Sequence, residues 1–235
     1  MNHPHGAATR CRLASLDMAG TTVDEGGLVY GVLEQTITDA AGAPVPADLL
    51  ASWKGTSKRE AIGGLLAGLD ADTSEVRVDR VFADFRQRLV IAYKETPPTP
   101  LPGVPEALAA LRSGGVQVAL QTGYSADIAE SILAGLGWEV GPSGTVDAVV
   151  TSDQVPASRP APYLVFRTME ATRVTDVRSV AVAGDTPNDV GAGYHAGAGW
   201  VIGVLSGSFD EAALSATPAT HVLTSIADLP ALLLG

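Results

Sequence analysis

Three carboxylates in this chain have the type and spacing to do chemistry together. Asp17 follows the apolar run Leu13–Leu16 and opens Asp17-Met-Ala-Gly-Thr-Thr-Val-Asp24. Asp185 and Asp189 close a second run, Val180-Ala-Val-Ala-Gly-Asp185-Thr-Pro-Asn-Asp189. A carboxylate at a strand end is held rigidly with its oxygens facing a cleft, where it serves as a nucleophile and as a ligand to a hard cation. Alone, Asp17 reads as a turn residue and Asp189 as a first-turn helix acid near the dipole. Two strand ends carrying three acids read instead as an oxygen-rich site for Mg²⁺. Gly20 permits a tight turn and lets backbone N–H groups approach an anion. Arg159 alone reads as a solvated arginine before a Pro-Ala-Pro turn; beside the acid motifs its guanidinium matches a fixed cation that neutralises crowded carboxylates and a transferring group.

The elements that must position these residues are legible as alternating runs. Leu13–Leu16, Val116–Leu120, Ala148–Val150, Val180–Ala183 and Trp200–Val204 are short and apolar, as buried parallel strands are. Helix-like segments lie between them at Pro105–Arg112, Ala126–Leu136, Pro162–Thr172 and Asn188–Ala196. The alternation predicts an α/β fold with a doubly wound parallel sheet, whose ligands bind beyond the carboxyl ends of the strands. Residues 28 to 93 break the pattern. Val29, Val32, Leu33 and Ile37, and again Val78, Val81, Phe82, Phe85 and Leu89, follow helical spacing. The stretch Glu95-Thr-Pro-Pro-Thr-Pro-Leu-Pro-Gly103 reads as a stiff connector. The expected organisation is a core of residues 10–26 and 97–235 with an all-helical insertion over 27–96.

Composition narrows the partners. The 235 residues carry 15 basic and 26 acidic side chains, a balance of −11 that repels nucleic acid and anionic membranes. A small anionic substrate is still admitted, because a metal and a few cations reverse the local sign. Cys11 is the single cysteine, so no disulfide framework is expected. MNHPHGAATRCR lacks the apolar segment of a secretory signal, and no apolar stretch approaches the roughly 18 residues of a membrane span. A cytoplasmic protein is the expectation, with His3 and His5 in a frayed tail.

The order Asp17-x-Ala-Gly-Thr-Thr, Thr122 after a strand, Arg159, then Gly184-Asp185-x-x-x-Asp189 resembles the four motifs of the haloacid dehalogenase superfamily over nearly the whole chain. That resemblance implies a Rossmann-like core, an inserted helical cap of the C1 type, Mg²⁺ and an aspartyl-phosphate intermediate formed from a small phosphorylated or phosphonate substrate. It implies that Asp17 is the nucleophile and that Asp17, the Ala19 carbonyl and Asp185 hold the metal, with Asp189 helping directly or through water. Thr122 would donate to the phosphoryl oxygens, and Thr21, Gly123 and Lys54 would be substrate contacts.

Ala19 stands where most phosphatases of the superfamily have a second Asp to protonate the leaving group. In this context it resembles the phosphonoacetaldehyde hydrolases, which form a Schiff base on a cap lysine and need no such acid. Lys58 matches that lysine and serves either as imine former or as a simple phosphate-contacting cation. Gly27, Lys54 and Ala61 depart from the phosphonoacetaldehyde hydrolase pattern, where a cysteine, a methionine and a histidine stand. Those departures favour a sister hydrolase without imine chemistry. A phosphoglucomutase-type isomerase leans on the acid that Ala19 replaces, and a catalytically silent module of the same fold is the alternative outside enzymes. His195, Tyr124, Trp53 and Trp138 read as surface or packing residues, and Asp24 as a shaper of the flap.

Overall fold

The computed structural model describes residues 10–235, so His3 and His5 lie outside the described residues. Eight strands form in chain order: β1 Leu13–Asp17, β2 Val23–Asp24, β3 Thr99–Pro100, β4 Gln117–Gln121, β5 Ala148–Val150, β6 Val180–Gly184, β7 Trp200–Val204 and β8 His221–Leu223. Six make one sheet in the order β5-β4-β1-β6-β7-β8. Every pairing in it is parallel. The chain winds from β1 outward through β4 to β5, then crosses back to β6 and continues through β7 to β8. The winding direction therefore reverses at β1, and a sheet of this kind opens a crevice at that point.

Ten helices accompany the strands: α1 Leu28–Ala41, α2 Ala47–Ser52, α3 Lys58–Gly68, α4 Glu75–Glu95, α5 Val104–Ser113, α6 Ala126–Leu136, α7 Tyr163–Thr172, α8 Pro187–Ala196, α9 Glu211–Ser215 and α10 Leu229–Leu234. Alternate strand residues feed opposite faces of the sheet. Leu16, Leu120, Ala183 and Ile202 join the larger core, which also takes in α5, α6 and α10. Leu13, Ala119, Val180 and Val182 meet Val165 and Met169 of α7 and Ala192 and Ala196 of α8. Both faces are covered, which is why the strands read as unbroken apolar runs.

Between β2 and β3 the chain is helical throughout, apart from short turns. Helix α1 buries Val29, Leu33 and Ile37, and α4 buries Val78, Val81, Phe85 and Leu89. These stripes face one another, and α3 closes against both with Ile62, Leu65 and Leu66. The Pro-rich stretch is more than a connector. Thr99 and Pro100 pair antiparallel with Asp24 and Val23, so the return from the helices is tied to the loop that follows Asp17. Sequence spacing concealed this because the ladder is two residues long and contains a proline, which an edge strand tolerates. No helix among the described residues is long and apolar enough to cross a membrane.

Phe85 is fully buried in the helical layer. Phe85→Ala is expected to cost about 3–5 kcal/mol, as aromatic truncation in a close-packed core does. A urea titration with unchanged midpoint would place Phe85 outside any cooperative core.

Candidate active site

The carboxyl ends of β4, β1 and β6 lie side by side, and each delivers a polar residue to the same place. Asp17 is the last residue of β1 and is in register with Gln121, the last of β4. Thr122 follows β4, and Asp185 follows β6. Helix α8 begins two residues later and contributes Asp189. Oxygens of Asp17, Asp185 and Asp189 all lie within 4.8 Å of one another, and all three residues are buried.

Each acid is held by its own surroundings. Asp189 is the third residue of α8, where its Oδ2 accepts from the Thr186 backbone N–H at 3.1 Å while Thr186 Oγ1 accepts from the Asp189 N–H at 3.2 Å. This reciprocal cap fixes the helix start and leaves the other oxygen of Asp189 facing the cleft. Asp185 Oδ2 accepts from the Ser208 N–H at 2.7 Å, and Thr21 Oγ1 lies 3.3 Å from Asp185 Oδ1. The Thr21 hydroxyl is thus turned onto the acid cluster. Arg159 Nη1 donates to Asp17 Oδ1 at 2.7 Å and also to Asp189 Oδ1, and the side chain is only 2% exposed. Its Nε is buried with no protein acceptor.

The charges do not balance. Three carboxylates face one guanidinium, a surplus of two negative charges in a buried space. Burial first, and then the charge of Asp17, push the Asp185 carboxyl up to about 6. A compact set of hard oxygens carrying that surplus fits a divalent cation of the Mg²⁺ or Ca²⁺ type, and Asp17, Asp185 and Asp189 are the residues to hold it.

Two lysines approach from the loop between α2 and α3. The loop is docked on the core by three hydrogen bonds. Lys58 N donates to Gly123 O at 3.2 Å, Asn188 Nδ2 to Lys54 O at 2.6 Å, and Ser158 N to Glu60 Oε1 at 3.0 Å. Two glycines make this approach possible. A Cβ on Gly123 would stand 2.2 Å from the Thr56 carbonyl oxygen, and one on Gly55, at φ +81°, would stand 2.2 Å from Thr186 Oγ1. Ser57 caps α3 by accepting from Glu60 N, so Lys58 is the first helical residue and points inward.

Lys58 is 5% exposed, and its ammonium lies 5.1 Å from the centre of the Tyr30 ring and 5.5 Å from that of Tyr124. Its Nζ donates to Thr56 O at 3.2 Å. Burial, aided by Arg159, brings it down to about 8 against the pull of Asp17, Glu25 and Asp185. Lys54 is half-buried, with Nζ 5.0 Å from the Tyr30 ring centre and 6.0 Å from that of Phe209. A cavity of about 260 Å³ begins at Ala19 and Gly20 and is walled by Glu25, Tyr30, Lys54 and Ser206. A larger hollow of about 720 Å³ touches Arg159 and Asn188 but none of residues 17–30.

Thr122 is buried, its Oγ1 accepting from the Tyr124 N–H at 3.1 Å, which leaves the hydroxyl proton free to point at a ligand. Asp24 turns onto the Gly26 N–H at 2.9 Å, and His195 Nδ1 lies 2.8 Å from the Pro160 carbonyl on an exposed helix face. Sequence reasoning overlooked Tyr30, Glu25 and Ser206–Ser208. The serines lie in the loop that follows strand β7, one residue beyond its end, so the strand-end rule that exposed Asp17 and Asp185 had the means to find them. Tyr30 and Glu25 carried no such signal.

A model of the haloacid dehalogenase-like hydrolase family matches residues 11–197. The chain is 31% identical to a phosphonoacetaldehyde hydrolase of Bacteroides fragilis, over 91% of this chain and 85% of that one. It is 34% identical to a phosphonoacetaldehyde hydrolase of Parabacteroides distasonis over 58% of this chain, a stretch that spans half of that relative's length. Among solved structures it resembles a phosphonoacetaldehyde hydrolase-like protein from Oleispira antarctica, with a TM-score of 0.81 at 20% identity over 99% of this chain and 95% of that one.

Removing one partner from a buried charge group strands the others. Arg159→Met is expected to lower stability by about 3–5 kcal/mol in metal-free buffer. Adding Asp189→Asn to it should recover part of that loss. Denaturant unfolding of both variants checks this, and a metal-free Arg159→Met protein as stable as the parent would contradict the charge pairing.

Proposed function

The chain belongs to the haloacid dehalogenase-like hydrolases, and from that premise we propose that it is a Mg²⁺-dependent enzyme in which Asp17 attacks the phosphorus of a small phosphorylated or phosphonate metabolite. The observation that carries this reading is the buried cluster of Asp17, Asp185 and Asp189 gathered around Arg159 at the strand ends. Asp17, the Ala19 carbonyl and Asp185, with Asp189 beside them, would hold Mg²⁺, which when bound neutralises charge on a phosphoryl oxygen. The helices from α1 to α4 act as a cap over the site.

Asp17 forms an O–P bond as the leaving group departs with the electron pair of its own bond to phosphorus. Water then attacks the same phosphorus, releasing phosphate and restoring the carboxylate. Arg159 fixes one oxygen of Asp17 and keeps its Nε–H for a substrate oxygen. Thr122 and the Gly123 N–H supply further donors to the transferring group. Thr21, whose hydroxyl faces Asp185, contributes by holding that acid.

A second reading is favoured by the state of Lys58. A buried amine brought down to about 8, beside two aromatic rings and above the acid cluster, is a competent carbonyl nucleophile. With a carbonyl phosphonate, the Lys58 amine would expel water to form an imine, and transfer of phosphorus to Asp17 would leave the electron pair of the P–C bond in an enamine. Protonation and hydrolysis would release the aldehyde or ketone and free Lys58. No acid at position 19 is needed on this route.

Asp17→Asn should retain the fold and lose at least about 1,000-fold in kcat on whichever phosphate ester or phosphonate the parent turns over best. More than a tenth of the parental rate in the variant would exclude covalent catalysis there. Mg²⁺ at about 100 times its Kd should stabilise the parent by about 2.7 kcal/mol, and Asp185→Asn should abolish most of that gain. A thermal midpoint unmoved by Mg²⁺ would count against the metal role.

The two chemistries separate on a borohydride experiment. Imine formation predicts inactivation by borohydride only when phosphonoacetaldehyde is present, mass added on Lys58, and a rate that climbs as pH rises through about 8 while the neutral amine accumulates. Full activity after such treatment, with an unmodified Lys58, leaves the simple phosphatase route.

A further inference from the structure

Lys54 is a cation without an ionic partner. Among the described residues it forms no ion pair with a carboxylate, although the residue is half-buried and its ammonium is held beside the rings of Tyr30 and Phe209. Its backbone is fixed as well, since Lys54 O accepts from Asn188 Nδ2 at 2.6 Å. The ammonium therefore has a defined place, and that place is the wall of the 260 Å³ cavity that starts at Ala19 and Gly20.

The cavity lies close to the acid cluster on two counts. Gly20 lies against Asp185, where an added Cβ would come within 2.8 Å of the carboxylate. Tyr30, which walls the cavity, feels the charges of both Asp185 and Asp17. Ala19 ends at its methyl, so no carboxyl stands between the phosphoryl position and Lys54. At about 30 Å³ for each water-sized group, a space of about 260 Å³ admits roughly nine non-hydrogen atoms, the size of a small metabolite.

The acids on the same wall are already committed. Glu25 Oε2 accepts from the Val29 N–H at 2.8 Å, and its charge is opposed by Lys58. Asp24 is turned onto the Gly26 N–H. Ser206 Oγ donates to Gly20 O at 2.8 Å. Among the described residues, the Lys54 ammonium is the one charged group on this wall with no hydrogen bond to the protein.

We infer that Lys54 selects substrates that carry a second anionic group, a carboxylate on a body of two or three carbons, at the end remote from the phosphorus. This rests on the hydrolase reading above and adds to it the chemical class of the leaving group. A carboxylate would replace the water around Lys54 with a charge-assisted hydrogen bond in a confined, aromatic-walled space, where such bonds are strong. An uncharged end of the same size would leave the ammonium desolvated without compensation.

Binding separates this inference from turnover. Calorimetric titration of the Asp17→Asn protein in Mg²⁺ with two matched ligands, phosphoglycolate and 2-hydroxyethyl phosphate, reads recognition in a protein that cannot complete the reaction. The carboxylate member is expected to bind at least tenfold more tightly. Adding Lys54→Met should shrink that ratio below about threefold, and adding Lys54→Arg in its place should keep most of it. Equal binding of the two ligands, or a preference that survives Lys54→Met, overturns the inference. Turnover of either compound by the parent protein bears on the hydrolase reading and leaves the binding ratio as the sole judge of Lys54.

Discussion

The arrangement of this molecule follows from one electrostatic constraint, the burial of three carboxylates within reach of one another. Such a cluster survives folding only if each acid has donors and the group has cations. Arg159 supplies the first cation by bridging Asp17 and Asp189, and in doing so ties the end of β1 to the loop before α7 and to the first turn of α8. Ser208 N and Thr21 Oγ1 serve Asp185 from two other loops. Burial and then the charge of Asp17 push the Asp185 carboxyl up to about 6, and the surplus negative charge is what a divalent cation would remove. A site assembled this way is stable in proportion to the charge delivered to it, which couples binding to folding.

The second constraint is steric and concerns the helical layer. Its loop reaches the core by backbone contacts, Lys58 N to Gly123 O and Lys54 O to Asn188, that need glycine at 55 and 123. The same short loop then presents Lys54 and Lys58 around a single ring, Tyr30, and so sets both cations by one docking event. Ala19 gives this docking its chemical point. Beside Ala19 lies the cavity walled by Tyr30 and Lys54. The chain is similar to phosphonoacetaldehyde hydrolases.

Much of this was legible in the sequence because the physics that makes a buried parallel strand also makes an unbroken apolar run. Leu13–Leu16 and Val180–Ala183 announced β1 and β6, and the acids after them announced the cluster, since a strand end fixes where a side chain can be. Strand β8, at His221–Leu223, escaped because it is three residues long, lies at the sheet edge and is only partly buried. The β2–β3 ladder escaped because prolines masked it. Tyr30 and Glu25 escaped for a different reason. Their proximity to Asp17 depends on how α1 packs over the core, a relation between distant segments that leaves no periodic trace in either.

The claim on which the rest depends is that Asp17 becomes phosphorylated during turnover. The direct measurement is an acid quench of the parent protein within a single turnover, followed by mass spectrometry of the tryptic peptide spanning residues 13 to 54. One phosphoryl mass on Asp17, absent without Mg²⁺ and chased away when turnover is allowed to finish, is the expected result. Product formed at full rate with Asp17 never modified, or with the phosphoryl group on another residue, would contradict it.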